Sequence, residues 1–455
     1  MNTDTYASTT PSLVDINAEG EDSLLYVEHL RDVDAATWDR LLLESPGGGH
    51  ALQTYAWGEF KATQGWKPSR LALKDGDRVL GVAQMLVRHV PGTTGAVAYC
   101  AKGPWVDWSN GEQTRMMLEG MEHFARRQGA YILKVESELL AGPGLPSGVP
   151  PSVEGVLSPV IATARGFRRR GLASRNGHSA PTSALAASSS EEEKRAAEEE
   201  KRVAEARQAI LDARERQAHD GHTPGRAAFA ELGFVKSRWD MQFRTTMVVD
   251  LDRSPEAILA RMKSKTRYNV NLARRKGVEI VQDDSPAARS LLHDMYVHTG
   301  QRDGFLLRPK SYFDGAWDTM IDAGHAHIFF AYHEGRPLAG LLAYMFGDKA
   351  WYQVGASYTE GRNLMPAPAI QYAVMEWAQQ RGMTYYDLVA IPNVETISAR
   401  DSMWGLYVFK SGFGGRPVEW AGCLDKIIDP RGAAWEAIEP AYYRFYRWRV
   451  KDVMY

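Results

Sequence analysis

The alternation of apolar and polar positions along this chain repeats itself once. Residues 76–82, GDRVLGV, and residues 335–341, GRPLAGL, each read as a turn glycine followed by an apolar strand with an internal glycine. AVAYCAKGP from Ala96 is matched by AWYQVGASY from Ala350, a second strand in each half. Helical periodicity follows in TRMMLEGMEHFARRQG from Thr114 and APAIQYAVMEWAQQRG from Ala367, each closed by a glycine stop. Short strands come next, AYILKV from Ala130 and TYYDLVA from Thr384. The order strand, strand, helix, strand thus occurs twice, roughly 255 residues apart. This predicts two related α/β domains with a cleft between them, where ligands tend to bind.

Composition shifts mark the boundaries. Residues 1–23 are polar throughout and read as a disordered leader. A first domain is expected over 24–247, a second over 248–420, and a C-terminal segment, 421–455, that returns to the first. The first domain is interrupted over about 142–225 by Gly/Pro/Ser-rich sequence and then a charged run, Glu191 to Gln217. That run is helical by propensity, with opposite charges four apart at Glu191/Arg195 and Glu198/Arg202. Its larger apolar side chains are Val203, Ile210 and Leu211, too few for a core stripe, so a solvated helix or partly disordered arm is expected, with a partner-binding coiled coil as the alternative.

At 455 residues, 44% hydrophobic and 24% charged, the chain has the profile of a two-domain globular protein. A net charge of −2 excludes nucleic-acid binding through bulk charge and leaves only local basic patches. Cys100 and Cys423 show no metal-ligand spacing. No run approaches 18 apolar residues and the start lacks a signal-peptide pattern, so a cytoplasmic protein is expected, possible contact with the inner face of the membrane included.

The repeated order resembles the acetyltransferase-type fold of the GNAT superfamily in tandem. Acyl-CoA users of that fold carry a glycine-rich pyrophosphate loop before the helix. Here those places read WSNGEQT and GRNLMPAP, and the two prolines remove backbone donors, so no cofactor is expected.

Several separated segments resemble the Fem family, aminoacyl-tRNA-dependent transferases that build peptidoglycan cross-bridges. QTYAWGEFKATQGW, from Gln53, resembles the family's first helix start, which implies that Lys61 and Trp66 contact the precursor. AYCAKGPWVD, from Ala98, resembles a strand end in which Lys102 faces the cleft or Gly103 and Pro104 serve the turn. Glu136 stands where some members have an acceptor-side aspartate, which implies a catalytic role for it, proton removal falling to Glu136, to the substrate or to water. KSKTRYNVNLARRKGVEI, from Lys263, resembles the family's basic helix. If helical, it places Lys263, Arg267, Asn271 and Arg274 or Arg275 on one face, and the resemblance implies tRNA contacts from these cations and Lys265.

QRDGFLLRPKSYF, from Gln301, implies a diphosphate grip by Arg308 and a hydroxyl from Tyr312, with Leu306 where a threonine contact is found in the family. A guanidinium presents a planar fork suited to paired phosphate oxygens. In WYQVGAS, from Trp351, Val354 replaces a second family tyrosine, and Tyr352 is expected to pack on the sheet. LYVFKSGFGG, from Leu406, implies that Phe409 and Lys410 sit beside the reacting carbonyl, where an ammonium stabilises the developing oxyanion. The terminal run AYYRFYRWRVKDVMY, from Ala441, reads as a helix closing the first domain's core, or as a contact with tRNA or an anionic membrane.

The resemblance therefore implies transfer of an amino acid from aminoacyl-tRNA to the side-chain amine of a lipid-linked or UDP-linked peptidoglycan precursor. An ester donor is already activated, and no HExxH, Walker loop or cysteine–histidine nucleophile signature is present. An acyl-CoA-dependent N-acyltransferase and a non-catalytic module holding tRNA or precursor are the alternatives.

Overall fold

A computed structural model describes residues 25–146, 182–217, 221–251, 253–305 and 307–450. The leader expected over 1–23, the segment 147–181 and Leu306 lie outside the described residues. In chain order the first strands are β1 Leu25–Leu30, β2 Lys67–Asp75, β3 Arg78–His89, β4 Ala96–Ala101, β5 Ala130–Glu136, β6 Val235–Lys236 and β7 Thr245–Asp250. Then come β8 Glu279–Gln282, β9 Ala326–His333, β10 Arg336–Phe346, β11 Lys349–Ser357, β12 Tyr385–Ala390, β13 Arg416–Glu419 and β14 Leu424–Ile427. They form two seven-stranded sheets, β1-β2-β3-β4-β5-β14-β6 and β8-β9-β10-β11-β12-β7-β13.

The two sheets follow one plan. Antiparallel hairpins lead to a single parallel pair, β4 with β5 and β11 with β12. Each parallel pair is joined by a crossover helix, Gly111–Arg127 in one and Pro366–Gln380 in the other. The glycines expected to stop these helices, Gly129 and Gly382, take positive φ angles of 70° and 78°. An antiparallel strand then flanks each pair, β14 beside β5 and β7 beside β12. The architecture is α/β, two acetyltransferase-type domains in tandem.

The parallel pairs differ at one point that matters for chemistry. β4 and β5 stay in register to Ala101 and Glu136, and the Lys102 amide continues the ladder to the Glu136 carbonyl at 2.7 Å. β11 and β12 pair only to Trp351 and Asp387, although β11 runs on to Ser357 and β12 to Ala390. The second sheet therefore opens into a slot where the first is closed.

One apolar cluster spans the domain interface, joining Trp38, Trp57 and Phe60 to Trp317, Phe330 and Trp351. Burial of each large side chain contributes about 1.5–3 kcal/mol, which holds the two domains as one packed unit.

The charged run corrects the expectation of a solvated arm. It forms a helix, Thr182–Gln217, whose Ala206, Ile210 and Ala213 are buried and whose Val203 packs against the second domain's core. Small alanines around one isoleucine make a narrow stripe that a search for larger apolar residues overlooks. Arg214 adds a forked pair to Glu419 at 2.6 Å through both Nε and Nη2. An insertion that leaves the first domain thus straps onto the second.

The terminal helix Arg431–Val450 buries Trp435 and brings Glu439 within 3.3 Å of Lys134 on β5. Lys134, fully buried, also meets Asp425 of β14 at 2.9 Å. Residues 451–455 lie outside the described residues. Among the described residues, no helix is long and apolar enough to cross a membrane.

Candidate active site

The helix Tyr55–Thr63 begins at Thr54, whose hydroxyl accepts from the Trp57 amide. Lys61 lies on its last turn and is buried, its Nζ 5.9 Å from the Trp57 ring centre and 5.5 Å from that of Trp66. From the other domain the helix Lys310–Asp322 packs against it, Tyr312 meeting Phe60 edge-on at 5.0 Å. Gly315 permits this approach, because a Cβ there would press on the Phe60 ring at 3.3 Å. Arg308 precedes that helix, buried, its guanidinium 3.9 Å above the Tyr312 ring. Lys61, Arg308 and Tyr312 line one cleft, with Trp57, Tyr99, Gln242 and Gln353 among its other walls. Two desolvated cations over aromatic faces, contributed by both domains, give the cleft a cationic and aromatic lining, chemistry that suits an anion joined to a flat or ring-bearing group.

Trp66 is 3% exposed and acts as a floor under Lys61. Glu136 is not on the cleft wall. Its carboxylate accepts from the Tyr99 hydroxyl at 2.8 Å and from the Met241 and Gln242 amides at 3.2 and 2.8 Å. Burial and the nearby Asp240 push its pKa up to about 7 against the pull of those hydrogen bonds. Glu136 fixes Tyr99 and Gln242, which do line the cleft, and so has the geometry of a positioning residue.

Lys410 ends the helix Trp404–Lys410 and is likewise absent from the cleft wall. It sits beside the slot in the second sheet, donating to the Ala390 carbonyl at 2.8 Å, with Nζ 5.6 Å from the Tyr352 ring. Burial drags its pKa down to about 7, opposed by the charge of Asp387. Asp387 is itself buried and raised to about 6, while accepting from Thr246 and from the Val389 amide. Tyr386 donates to Gln371 at 2.9 Å in the same layer. Tyr352 thus does more than pack on the sheet: its ring faces Lys410, and Gly355 leaves room for its hydroxyl. Phe409 packs edge-on against Phe413 at 5.1 Å, at the margin of the second domain's core.

The basic segment forms the helix Ser264–Arg275 with Lys263 at its cap. Lys263, Lys265, Arg274 and Arg275 are exposed, and Arg275 lies 5.7 Å over the ring of exposed Tyr268. Arg267 departs from this face: it turns back to the Ala260 and Met262 carbonyls at 2.9 and 3.0 Å, closing the preceding helix. Lys102 does not face the cleft either; it is buried 3.7 Å from Glu138.

Sequence reasoning passed over Trp57, Tyr99, Gln242, Gln371 and Asp387. The signal available for the last two was a polar residue inside an apolar run, Gln371 in AIQYAV and Asp387 in YYDLVA. The second crossover helix starts at Pro366, directly after Met365 at φ 58°.

Comparison with known proteins gives the following. Residues 36–141 match the FemAB family and residues 260–396 match the acetyltransferase (GNAT) domain. The lipid II:glycine glycyltransferase of Staphylococcus saprophyticus is 22% identical over 443 residues, covering 84% of this chain and 89% of the relative. That of Staphylococcus aureus is 22% identical over 453 residues, covering 85% and 90%. The crystal structure of FemX superposes with a TM-score of 0.67 at 20% identity, over 91% of this chain and 99% of that one.

Proposed function

The chain belongs to the FemAB family, and from that premise we propose that it is an aminoacyltransferase. It moves an amino acid from aminoacyl-tRNA to the side-chain amine of a peptidoglycan precursor's stem peptide, for cross-bridge formation. The observation that carries this reading is the buried cleft in which both domains place a cation, Lys61 and Arg308, over aromatic rings. A lipid-linked and a nucleotide-linked precursor share a sugar-bearing diphosphate, the group that such a cleft suits. The names of the two staphylococcal relatives, lipid II:glycine glycyltransferases, support the lipid-linked form.

The slot beside Lys410 takes the aminoacyl ester. The acceptor nitrogen attacks the ester carbonyl and forms the new C–N bond. The tetrahedral intermediate then expels the tRNA ribose oxygen, which takes up the proton that the amine loses. Negative charge on the carbonyl oxygen is met by the Lys410 ammonium, held on the Ala390 carbonyl, in a layer where low polarity strengthens the interaction. Holding both reactants in one orientation supplies the rest of the acceleration. Exposed Lys263, Lys265, Arg274 and Arg275, with Tyr268, supply the local basic and stacking surface for tRNA.

Calorimetric titration with a UDP-linked muropeptide tests the acceptor half. Saturable binding is expected, weakened about 10- to 100-fold in Arg308→Ala and Lys61→Ala. Equal binding by wild type and both variants would remove the diphosphate from this cleft.

A further inference from the structure

The insertion that carries the strap helix Thr182–Gln217 is clasped at its base in the first domain. Fully buried Arg226 donates to the Leu140 carbonyl at 3.2 Å and to the Pro143 carbonyl at 2.8 Å, across the insertion. The strap itself lies on the second domain, and what it grips there is the stretch that delivers Lys410.

Lys410 donates to the carbonyl of Ala390, the last residue of β12, so residues 391–409 form an excursion that returns the lysine to the strand it left. The start of the excursion is tied to β7: the Ile391 amide donates to the Thr245 carbonyl at 3.0 Å, and the Thr245 hydroxyl to Asn393 at 2.8 Å. Farther along, the strap takes hold. Arg214 donates to Glu395 at 3.0 Å, which Arg244 also holds, and Arg207 donates to the Ile397 carbonyl at 3.3 Å. Glu199 accepts from the indole N–H of Trp404 and steadies Arg202, at 2.8 Å, whose guanidinium lies 5.9 Å over the Trp404 ring. Val203, Ala206 and Ile210 pack in one cluster with Val394, Ile397, Trp404 and Tyr407. Residues 199, 203, 206, 207, 210 and 214 recur at one- to four-residue steps that keep them on one face of the strap.

The helix Trp404–Lys410 has seven residues, too few to hold its own geometry, so its orientation comes from what packs against it. Trp404 stacks on Tyr407 at 5.3 Å and 10°, and Lys410 stands one turn farther on. A shift at Trp404 is therefore passed along the helix to the ammonium. We propose, building on the oxyanion role given to Lys410, that the strap is a positioning element for it. Glu199, Arg207 and Arg214, acting through Trp404, Ile397 and Glu395, set where the ammonium stands at the slot. The first domain thereby contributes, through its insertion, to a centre built in the second.

The test is a double-mutant cycle in transfer kinetics with the full chain: wild type, the pair Glu199→Ala with Arg207→Ala, Lys410→Met, and all three changes together. The pair is expected to lower kcat about tenfold or more with the precursor's KM within about threefold, since slight misplacement of a catalytic group is costly. In the Lys410→Met background the same pair should change kcat by less than about twofold, because nothing is left to position. Glu199→Gln, whose amide oxygen still accepts from the indole, should stay within about twofold of wild type. Trp404→Phe, which keeps the stack on Tyr407 but lacks the N–H, takes the pair's place in the cycle should the pair unfold. A wild-type kcat for the strap variants while Lys410→Met is impaired overturns the positioning and leaves the role of Lys410 standing. An equal loss in both backgrounds also overturns it, assigning the strap to stability alone. A wild-type kcat for Lys410→Met removes the oxyanion role itself, and the positioning with it.

Discussion

Replacing Lys410 by methionine separates the two functional centres. Methionine keeps the unbranched length that packs against Tyr352 but removes the ammonium and its 2.8 Å hydrogen bond to the Ala390 carbonyl. Removing one preorganised oxyanion donor costs about 2.7–4 kcal/mol of transition-state stabilisation, or about 10²- to 10³-fold in kcat. KM for the precursor is expected to stay within about threefold, because Lys410 is absent from the cleft wall. The fold is not endangered. The lost hydrogen bond is worth about 1 kcal/mol. Against it, the descent of the lysine pKa from 10.5 to about 7 corresponds to roughly 5 kcal/mol disfavouring the buried cation. Since the folded pKa lies below the unfolded one, that penalty is present in full below about pH 7 and fades as pH rises from about 7 to 10.5. The variant should therefore match or exceed wild type in stability at pH 6 and lose this part of the pH dependence. In activity the sign is opposite: wild-type kcat falls as pH rises through about 7, and the variant shows no such limb. Steady-state transfer kinetics across pH 5.5–9, with precursor varied, make the measurement. A kcat within about threefold of wild type, or a loss residing wholly in KM, refutes the role given to Lys410.

Arg308→Ala is expected to raise the precursor's KM about 10- to 100-fold with a smaller change in kcat, and Arg308→Lys to recover only part of it, since an ammonium lacks the paired donors. Lys134→Met leaves Asp425 and Glu439 buried without their cation and should cost about 3–5 kcal/mol, seen as a lowered Tm in calorimetry with KM unchanged. Ile210→Ala, at a fully buried position of the strap helix, should cost about 2–5 kcal/mol locally. Faster amide exchange over residues 203–214, with the sheets still protected, is the expected signature.

Much of the architecture was legible in the chain because the repeat is written in strong local signals. Apolar runs between turn glycines define β3, β4, β10 and β11, and Gly129 and Gly382 close the crossover helices where the pattern ends. The strap was misread because its buried face is mostly alanine, and because its anchor, the Arg214–Glu419 pair, joins residues 205 positions apart. The site shows the same division. Residue types that grip phosphate were visible at Lys61 and Arg308, but their shared cleft arises from packing of helices 55–63 and 310–322, which no local pattern encodes. Glu136 was a catalytic candidate by resemblance; its carboxylate is held by the loop amides of Met241 and Gln242, about a hundred residues on, a contact that no local pattern discloses. The different lengths of the two parallel ladders, and hence the slot beside Lys410, depend on pairing register, which two similar strand sequences do not disclose.

The central claim is that one molecule joins a precursor seated on Lys61 and Arg308 to an amino acid delivered as a tRNA ester. The direct measurement is mass analysis of the products formed from purified lipid-linked and UDP-linked precursors with tRNA charged by labelled amino acids. The account predicts a precursor heavier by one aminoacyl residue, in amide linkage to the stem-peptide side chain, with product lost in Arg308→Ala at low precursor. Acylation that proceeds from an acyl-CoA while every charged tRNA is left unreacted would contradict it.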